Sequence, residues 1–424
     1  MTTEDSAAGT LIVGANQAGV QLAVALREAG DAAPITLIGA EPHHPYQRPP
    51  LSKAFLQGKL GLDALAFRPP AFFTDNDITI VCAERVESIG LDDDGHAGSG
   101  TATTESGRVV SFDRLALTVG ARTRRLTLPG ADLDRVTYMR TADDAHRVRE
   151  HLSGSESVVV IGGGFIGLEA AAVARAHGKA VTVVEAADRL IARSVSPLVS
   201  EFYRAAHIRR GVDIRLGAGV AALHGTEGRV RAVELTDGTR IPADLVVVGV
   251  GIAPRTELAE QLGLDCEGGI VVDHYARTSN PAIVAAGDCA VMPNPLTGQG
   301  RVRLESVQNA VSQAKVAAAT LVGRLEPYTA VPWFWSDQYE LKLQIAGLSA
   351  GYDHQVVRGD PTSEAFSVLY YRDDSLLAVD AVNAGADYMA VRKALTQGAT
   401  IPAANAGNPA VALRNLITPN SVRS

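Results

Sequence analysis

The sequence predicts an α/β fold with two doubly wound domains and a smaller α+β domain at the C-terminal end, on three observations. Glycine-rich turns occur twice, as VGANQAG with Gly14 and Gly19, and as IGGGFIG with Gly162, Gly163, Gly164 and Gly167. Each lies between an apolar run and a helical pattern, where glycines let backbone N–H groups approach a phosphate at a helix N-terminus. Two segments, DRLALTVGAR and ADLVVVGVGIAP, share one plan of an acid, an apolar run and a glycine, and they flank the second turn as domain crossings would. Beyond Leu325, apolar runs such as LKLQIAG and SVLYY alternate with turn signals.

Taken in order, Thr10 to Gly14 reads as a short buried strand, Ala18 to Ala29 as a helix stopped by Gly30, and Ile35 to Ile38 as the next strand. A proline-rich loop, PYQRPPLSK, runs from Pro45 to Lys53, and the polar stretch Asp92 to Gly107 reads as a hairpin tip or loop. Ser157 to Ile161 opens the second βαβ unit; its helix starts after Gly164 and ends near Gly178, and its second strand is Ala180 to Glu185. The strand Ile283 to Asp288 returns to the first domain. These readings predict a first dinucleotide-binding domain over 1–112 and 245–325, a second Rossmann-like domain inserted over 113–244, and the α+β domain over 326–424.

The chain has 424 residues, enough for two to three domains, with 46% hydrophobic and 20% charged residues. No apolar run approaches the roughly 20 residues that span a bilayer. Met1 to Ala8 is polar and acidic, without a signal pattern. A cytoplasmic protein with no membrane partner is expected. A net charge of −8 without a block of like charge argues against a nucleic-acid partner. Only Cys82, Cys266 and Cys289 occur, and none is paired at CxxC or CxxxxC spacing, so no disulfide framework and no metal or iron–sulfur site is expected. No dithiol follows the first glycine turn, and electrons must leave by another route.

Two dinucleotide sites in one chain point to hydride passing between two cofactors. Gly162, Gly164 and Gly167 complete a G-x-G-x-x-G pattern, with Phe165 and Ile166 inside it, whereas the first turn has Ala15 and Asn16 between its glycines. Asn tolerates unusual backbone angles, but its Cβ would crowd a phosphate. Glu185 ends the strand after the second turn, where an acid binds both hydroxyls of an adenosine ribose. A 2′-phosphate about 4 Å away would be repelled by roughly 4 kcal/mol at an effective dielectric near 20. Halved by solvent, that still favours NADH over NADPH on the order of 10- to 100-fold.

Five segments carry a resemblance: PYQRPPLSKAFL (Pro45–Leu56), GGGFIGLEAA (Gly162–Ala170), AAGD (Ala285–Asp288), ESVQNAVSQAK (Glu305–Lys315) and PWFWSDQY (Pro332–Tyr339). In order and over the whole chain, they resemble the NADH-dependent, FAD-containing ferredoxin reductases of bacterial oxygenase systems, which are glutathione-reductase-like in fold. Apoptosis-inducing factor is a more distant relative of that family. The resemblance implies FAD at the first turn and NADH at the second. It places Arg48, Pro49 and Lys53 against the flavin, and pairs Lys53 with Glu169 as a tie between the domains. Phe165 would shield the flavin face, Asp288 would hold the ribityl chain, and Val307 and Trp335 would approach the ring. Arg122, backbone near Val86, Glu41 and Gly251 complete the implied cofactor contacts.

Three departures from the family pattern fall in the FAD half. Asn16 stands in the glycine turn, Ala40 precedes Glu41 where the family has an acid, and Thr118-Val119-Gly120 replaces Ala-Thr-Gly. Weakened or altered FAD contacts are expected. The implied partner is an acidic two-iron ferredoxin, steered by a basic rim with Arg301, Arg303, Lys342, Arg392 and Lys393 as candidates, and the chain is expected to be a monomer or weak dimer. A rubredoxin reductase, an NADH oxidase, and a redox-dependent binding protein of the apoptosis-inducing-factor type are the alternatives. The absence of a cysteine near Pro45–Lys53 disfavours the oxidase.

Overall fold

The computed structural model describes residues 8–92 and 98–419. Met1–Ala8, apart from Ala8, therefore lies outside the described residues. Backbone contacts divide the chain into two compact units, one of residues 1–47, 63–122 and 253–332, the other of 48–62, 123–252 and 333–424.

The first unit is built on a five-stranded parallel sheet ordered Ile283–Ala285, Arg114–Leu117, Thr10–Val13, Ile35–Ile38, Ile78–Val81. Thr10–Val13 is buried throughout, as a strand covered on both faces must be, and so it reads as an unbroken apolar run. Helix Gln17–Glu28 packs against helix Val307–Leu321 through small residues, among them Ala18, Ala25, Ala310, Ala314 and Ala317. Their size lets the two helices approach closely.

The same unit carries an antiparallel sheet of Val86–Leu91, Gly100–Thr104 and Val109–Phe112. The stretch expected as a hairpin tip or loop from Asp92 to Gly107 includes the second strand of a hairpin, Gly100–Thr104 paired with Val86–Leu91, while 93–97 lie outside the described residues. Its alternation is real, with Gly100, Ala102 and Thr104 inward, but small and hydroxylated residues conceal it. Gly100 is required there, because a Cβ would stand 2.1 Å from the Gly90 carbonyl oxygen.

The second unit has its own parallel sheet, ordered Val212–Arg215, Ala180–Val184, Ser157–Ile161, Leu245–Val248, Val136–Tyr138. Beside it stands a five-stranded antiparallel sheet, Trp333–Gln338, Leu341–Gly347, Ser375–Val382, Ala365–Arg372, His354–Asp360, with helix Gly385–Thr396 packed on it. One core runs through both, joining Val158, Leu168 and Phe202 to Leu341, Phe366 and Val382.

Strand pairing corrects the expected boundaries. Arg114–Leu117 pairs with Thr10–Val13, so the first sheet extends past residue 112, and Leu245–Val248 pairs with Ser157–Ile161, so the second sheet extends past 244. Both crossings follow the apolar run rather than precede it, because each run is the last parallel strand before the chain leaves. Segment 48–62, expected in the first domain, belongs to the second unit.

Asp380 breaks the apolar pattern of the antiparallel sheet and is fully buried. The Tyr370 hydroxyl donates to its Oδ2 at 2.5 Å, and Oδ1 has no hydrogen-bond partner among the described residues. Burial pushes its pKa up to about 7. The folded state thus holds this proton more tightly than the unfolded chain does. Its contribution to stability is fully present below about pH 4 and is lost as pH rises to about 7. Asp380→Asn should therefore flatten the fall in melting temperature between pH 5 and pH 8. An unchanged slope in the variant would show that Asp380 does not titrate in this window.

Candidate functional site

In the first unit, the turn after Thr10–Val13 is shaped by contact. Gly14 has φ +122°, and a Cβ on it would stand 2.1 Å from the Thr118 carbonyl oxygen. Gly19, in the first turn of the helix, would bring a Cβ to 2.1 Å from the Gly14 oxygen. Ala15 fills the space in front of Gly39, where a Cβ would stand 2.6 Å from its own. The Thr118 hydroxyl donates to the Gly14 and Val13 carbonyls at 2.9 and 3.1 Å. Thus a hydroxyl one residue before the family's threonine ties this strand end to the turn.

Asn16 differs from expectation. Its φ of −133° is ordinary extended backbone, so no unusual angle selects it. It caps helix Gln17–Glu28, with Oδ1 accepting from Ala18 N at 3.0 Å and Gly19 N at 3.4 Å while Nδ2 donates to Thr118 O at 2.5 Å. The side chain is spent on holding the turn shut.

Glu41 accepts the Tyr46 hydroxyl, and its carbonyl accepts from Ala83 N at 2.8 Å. Val86 opens the antiparallel sheet and is buried. Gly287, just before Asp288, donates its N–H to Gln313 at 2.8 Å, and the Asp288 carbonyl accepts from Arg303 at 3.1 Å. Val307 is the first residue of the helix that Ser306 caps. Arg122 is paired with Glu257.

In the second unit, Gly162 has φ +109°, and a Cβ on it would stand 2.4 Å from the Gly249 oxygen. Gly167 would meet the Gly162 oxygen at 2.1 Å. Gly164 is different, because a Cβ there would meet nothing within 4 Å, and it caps helix Phe165–Ala176 with no side-chain bond. The first-turn N–H groups of this helix are left for an anion. Glu185 faces the turn, accepting from Gly163 N at 2.6 Å and Ala187 N at 2.7 Å. Each carboxylate oxygen retains a lone pair for a ribose hydroxyl. Gly251, with φ +95°, follows the neighbouring strand and accepts from Arg124 N at 3.0 Å.

The same helix carries Glu169 on its inner side, 2% exposed. Lys53 Nζ donates to Oε2 at 2.7 Å, the Ser52 hydroxyl donates to Oε2 at 2.5 Å, and the Ser336 hydroxyl donates to Oε1 at 2.6 Å. The Lys53–Glu169 pair therefore lies within one compact unit and not as a tie between two. The two serines escaped the sequence reading, since a hydroxyl near a carboxylate leaves no spacing signal. Arg48, in the same short segment, donates to the Arg140 carbonyl at 2.7 Å, and Pro49 begins a 3-10 turn that orients Ser52 and Lys53.

An aromatic cluster lies next to this carboxylate. Phe165, at the helix start, packs on Phe334 with centroids 4.7 Å apart. Trp335 lies 5.6 Å from Trp333, and these are the only two tryptophans of the chain. Ile166 is 44% exposed, unusual for a large apolar residue at a helix start and suited to covering a flat ligand. The thiols offer no alternative chemistry. Burial raises the pKa of all three cysteines, that of Cys289 to about 12.

Two glycine turns built for nucleotides, a buried lysine–glutamate pair and no reactive thiol define a dinucleotide oxidoreductase that does not use a dithiol. Residues 9–314 match the pyridine nucleotide-disulphide oxidoreductase family and 333–417 the reductase C-terminal family. The chain belongs to this family, in the branch of the ferredoxin reductases, with FAD and NAD(P)H as cofactors. It is 47% identical over 385 residues to rhodocoxin reductase of Rhodococcus erythropolis, covering 91% of this chain and 88% of that one. It is 40% identical to rubredoxin-NAD(+) reductase of Pseudomonas putida over 88% of this chain and 95% of the relative. The reductase in the covalent putidaredoxin reductase–putidaredoxin complex superposes with a TM-score of 0.92 at 38% identity, covering 97% of this chain and 98% of that one. No helix among the described residues is long and apolar enough to cross a membrane.

Removing one partner of a buried ion pair strands the other. Lys53→Met should destabilise the second unit by about 3 kcal/mol, the low end for such a loss because two hydroxyls still donate to Glu169. Combining it with Glu169→Leu should recover most of that, since an apolar pair needs no compensation. Urea unfolding of the single and double variants measures both, and a double variant weaker than Lys53→Met would contradict the account.

Proposed function

We propose that this chain takes hydride from NADH and delivers the two electrons singly, through FAD, to a two-iron ferredoxin serving a bacterial oxygenase in the cytoplasm. The observation that carries the reading is the uncapped helix at Gly164 directly beside the buried Lys53–Glu169 pair, in a chain without a dithiol. Bound FAD supplies the change from one two-electron step to two one-electron steps.

The residues supply position and field. The Gly14–Gly19 turn holds the FAD pyrophosphate, with Glu41 at its adenosine ribose. Gly162, Gly164 and Gly167 hold that of NADH, with Glu185 at its adenosine ribose. Lys53 would be the cation against the flavin, Phe165 would shield the flavin face and yield to nicotinamide, Ile166 would contact the bound cofactor, and Trp335 would approach the ring. Asp288, Val307, Arg122, Arg48 and backbone near Val86 and Gly251 complete the two sites. Arg122 would have to leave Glu257 to do so. Asn16, expected to weaken FAD binding by crowding, instead withdraws two helix N–H groups from the phosphate.

The proposed ferredoxin patch comprises three of the five candidate cations. Arg301 pairs with Glu267 at 2.8 Å and Arg303 with Glu305 at 2.6 Å, so their charges are locally balanced. Lys342, Arg392 and Lys393 have no acid within ion-pair distance among the described residues, and Arg392 lies over the Trp333 ring at 5.0 Å. These three are the better steering charges. A rubredoxin partner is the second reading, favoured by the 40% identity to a rubredoxin reductase.

NADH-driven cytochrome c reduction by the FAD-loaded protein should rise strongly when a two-iron ferredoxin is added. A flavin that NADH reduces but that responds only to rubredoxin would select the second reading. Lys342→Ala with Lys393→Ala should raise the KM for ferredoxin at low salt, with the difference vanishing at high salt, and a salt-independent KM would remove them from the patch. Glu185→Ala should cut the preference for NADH over NADPH by about tenfold. An unchanged ratio of kcat/KM values would show that the carboxylate does not read the 2′ position.

A further inference from the structure

Behind Glu169 stand three polar side chains that the proposed chemistry does not use. Ser336, Gln338 and His207 are all 0% exposed, in a core where unpaired polar groups are costly. Gln338 Nε2 donates to the Ser336 hydroxyl oxygen at 3.2 Å, and that hydroxyl has its single proton on Glu169 Oε1, 2.6 Å away. Gln338 Oε1 therefore faces His207 Nε2, at 2.8 Å. An oxygen acceptor there requires the proton on Nε2. Burial holds the imidazole pKa down, at about 4, so the ring is neutral and Nδ1 is the acceptor. The Tyr339 hydroxyl stands 3.5 Å from Nδ1, at the edge of hydrogen-bonding distance, and the Arg210 guanidinium lies 5.1 Å from the centre of the tyrosine ring.

Every donor in this series points the same way, from Tyr339 through His207, Gln338 and Ser336 to Glu169. Aligned bonds polarise one another, and the positive end of the series meets the carboxylate. The series cannot conduct protons, because an amide receives a hydrogen bond at oxygen and gives one from nitrogen without passing a proton between them. It can hold orientation. If the Gln338 amide were reversed, its oxygen would face Ser336, the serine would turn its proton to the amide, and Glu169 Oε1 would lose its donor. The carboxylate would then be served from one side only, by Ser52 and Lys53, and would rotate toward them.

We propose that Ser336, Gln338 and His207 form a one-directional positioning chain that fixes the Glu169 carboxylate and, through it, the Lys53 ammonium. The role rests on the reading that NADH reduces a bound flavin beside Lys53. None of the three is a catalytic residue; each acts through Glu169. The tautomer of His207 sets which way the amide faces, and the amide sets which way the serine proton points.

Two measurements test this. Nitrogen-15 NMR of histidine-labelled protein at pH 7 should show His207 protonated at Nε2, and protonation at Nδ1 would overturn the chain whatever the enzyme does. Rapid mixing of the FAD-loaded protein with NADH should show flavin reduction slowed about tenfold in Ser336→Ala, at unchanged apparent affinity for NADH, with Ser336→Thr restoring the rate. Adding His207→Phe to Ser336→Ala should slow it no further, since the chain is already cut. Normal reduction in Ser336→Ala, or losses that multiply in the double variant, would overturn the positioning role alone. A native protein whose flavin NADH does not reduce would overturn the underlying reading instead.

Discussion

The second unit is organised around one buried negative charge. Glu169 is too far from water to be solvated, and a carboxylate in that position costs several kcal/mol unless donors converge on it. Its donors come from two places in the chain, the turn at Ser52 and Lys53 and the strand Trp333–Gln338, each meeting the helix Phe165–Ala176. The carboxylate thereby dictates where a short proline-rich segment and a distant strand must sit. It helps hold segment 48–62 against residues 123–252, together with buried Leu56, the Arg149–Phe55 contact and the Arg48 bond to Arg140, although the segment is flanked on both sides by chain of the first unit. The same convergence brings Phe334 against Phe165, so the aromatic cluster at the helix start follows from the placement of an acid one turn further on.

The two glycine turns show how a shared backbone plan can be adjusted by a single side chain. Both use glycine where strand and helix approach most closely, at Gly14 and Gly19 and at Gly162 and Gly167. They differ at the helix cap. Asn16 satisfies two N–H groups from within, and Gly164 satisfies none. Helix N-termini attract anions because those groups lack partners, so the second turn keeps the stronger site and the first exchanges part of it for rigidity.

The parallel strands and the two turns were legible in the sequence because each is a local signal. Continuous apolar runs mark strands covered on both faces, and glycine spacing marks the turns. The strand Gly100–Thr104 was not legible, since Gly, Ala and Thr carry little hydrophobic contrast even when they alternate correctly. Domain boundaries failed for a related reason: Arg114–Leu117 looks alike whether it ends one sheet or begins the next, and only its pairing decides. At the site, Lys53, Glu169 and Phe165 were reached through family motifs. Ser52 and Ser336 were not, because their role depends on meeting one carboxylate from segments far apart in sequence. The charge of Arg301 and Arg303 was visible, and the acids that balance it, Glu267 and Glu305, were visible too, but only folding puts Glu267 beside Arg301.

The antiparallel sheet presents a second buried acid, and the contrast with the first shows what the lysine is for. Asp380 has a single hydroxyl donor and no cation within ion-pair distance among the described residues, and burial drives it toward the neutral acid. Glu169 has an ammonium and two hydroxyls, which together replace what water would have supplied. One acid is tolerated in the core by taking a proton, the other by being surrounded. Only the second arrangement places a cation and two hydroxyls on one carboxylate. The number and charge of the donors around each acid thus set how it is accommodated, and around Glu169 they come from segments that also share one apolar core through Leu56, Leu168 and Leu341.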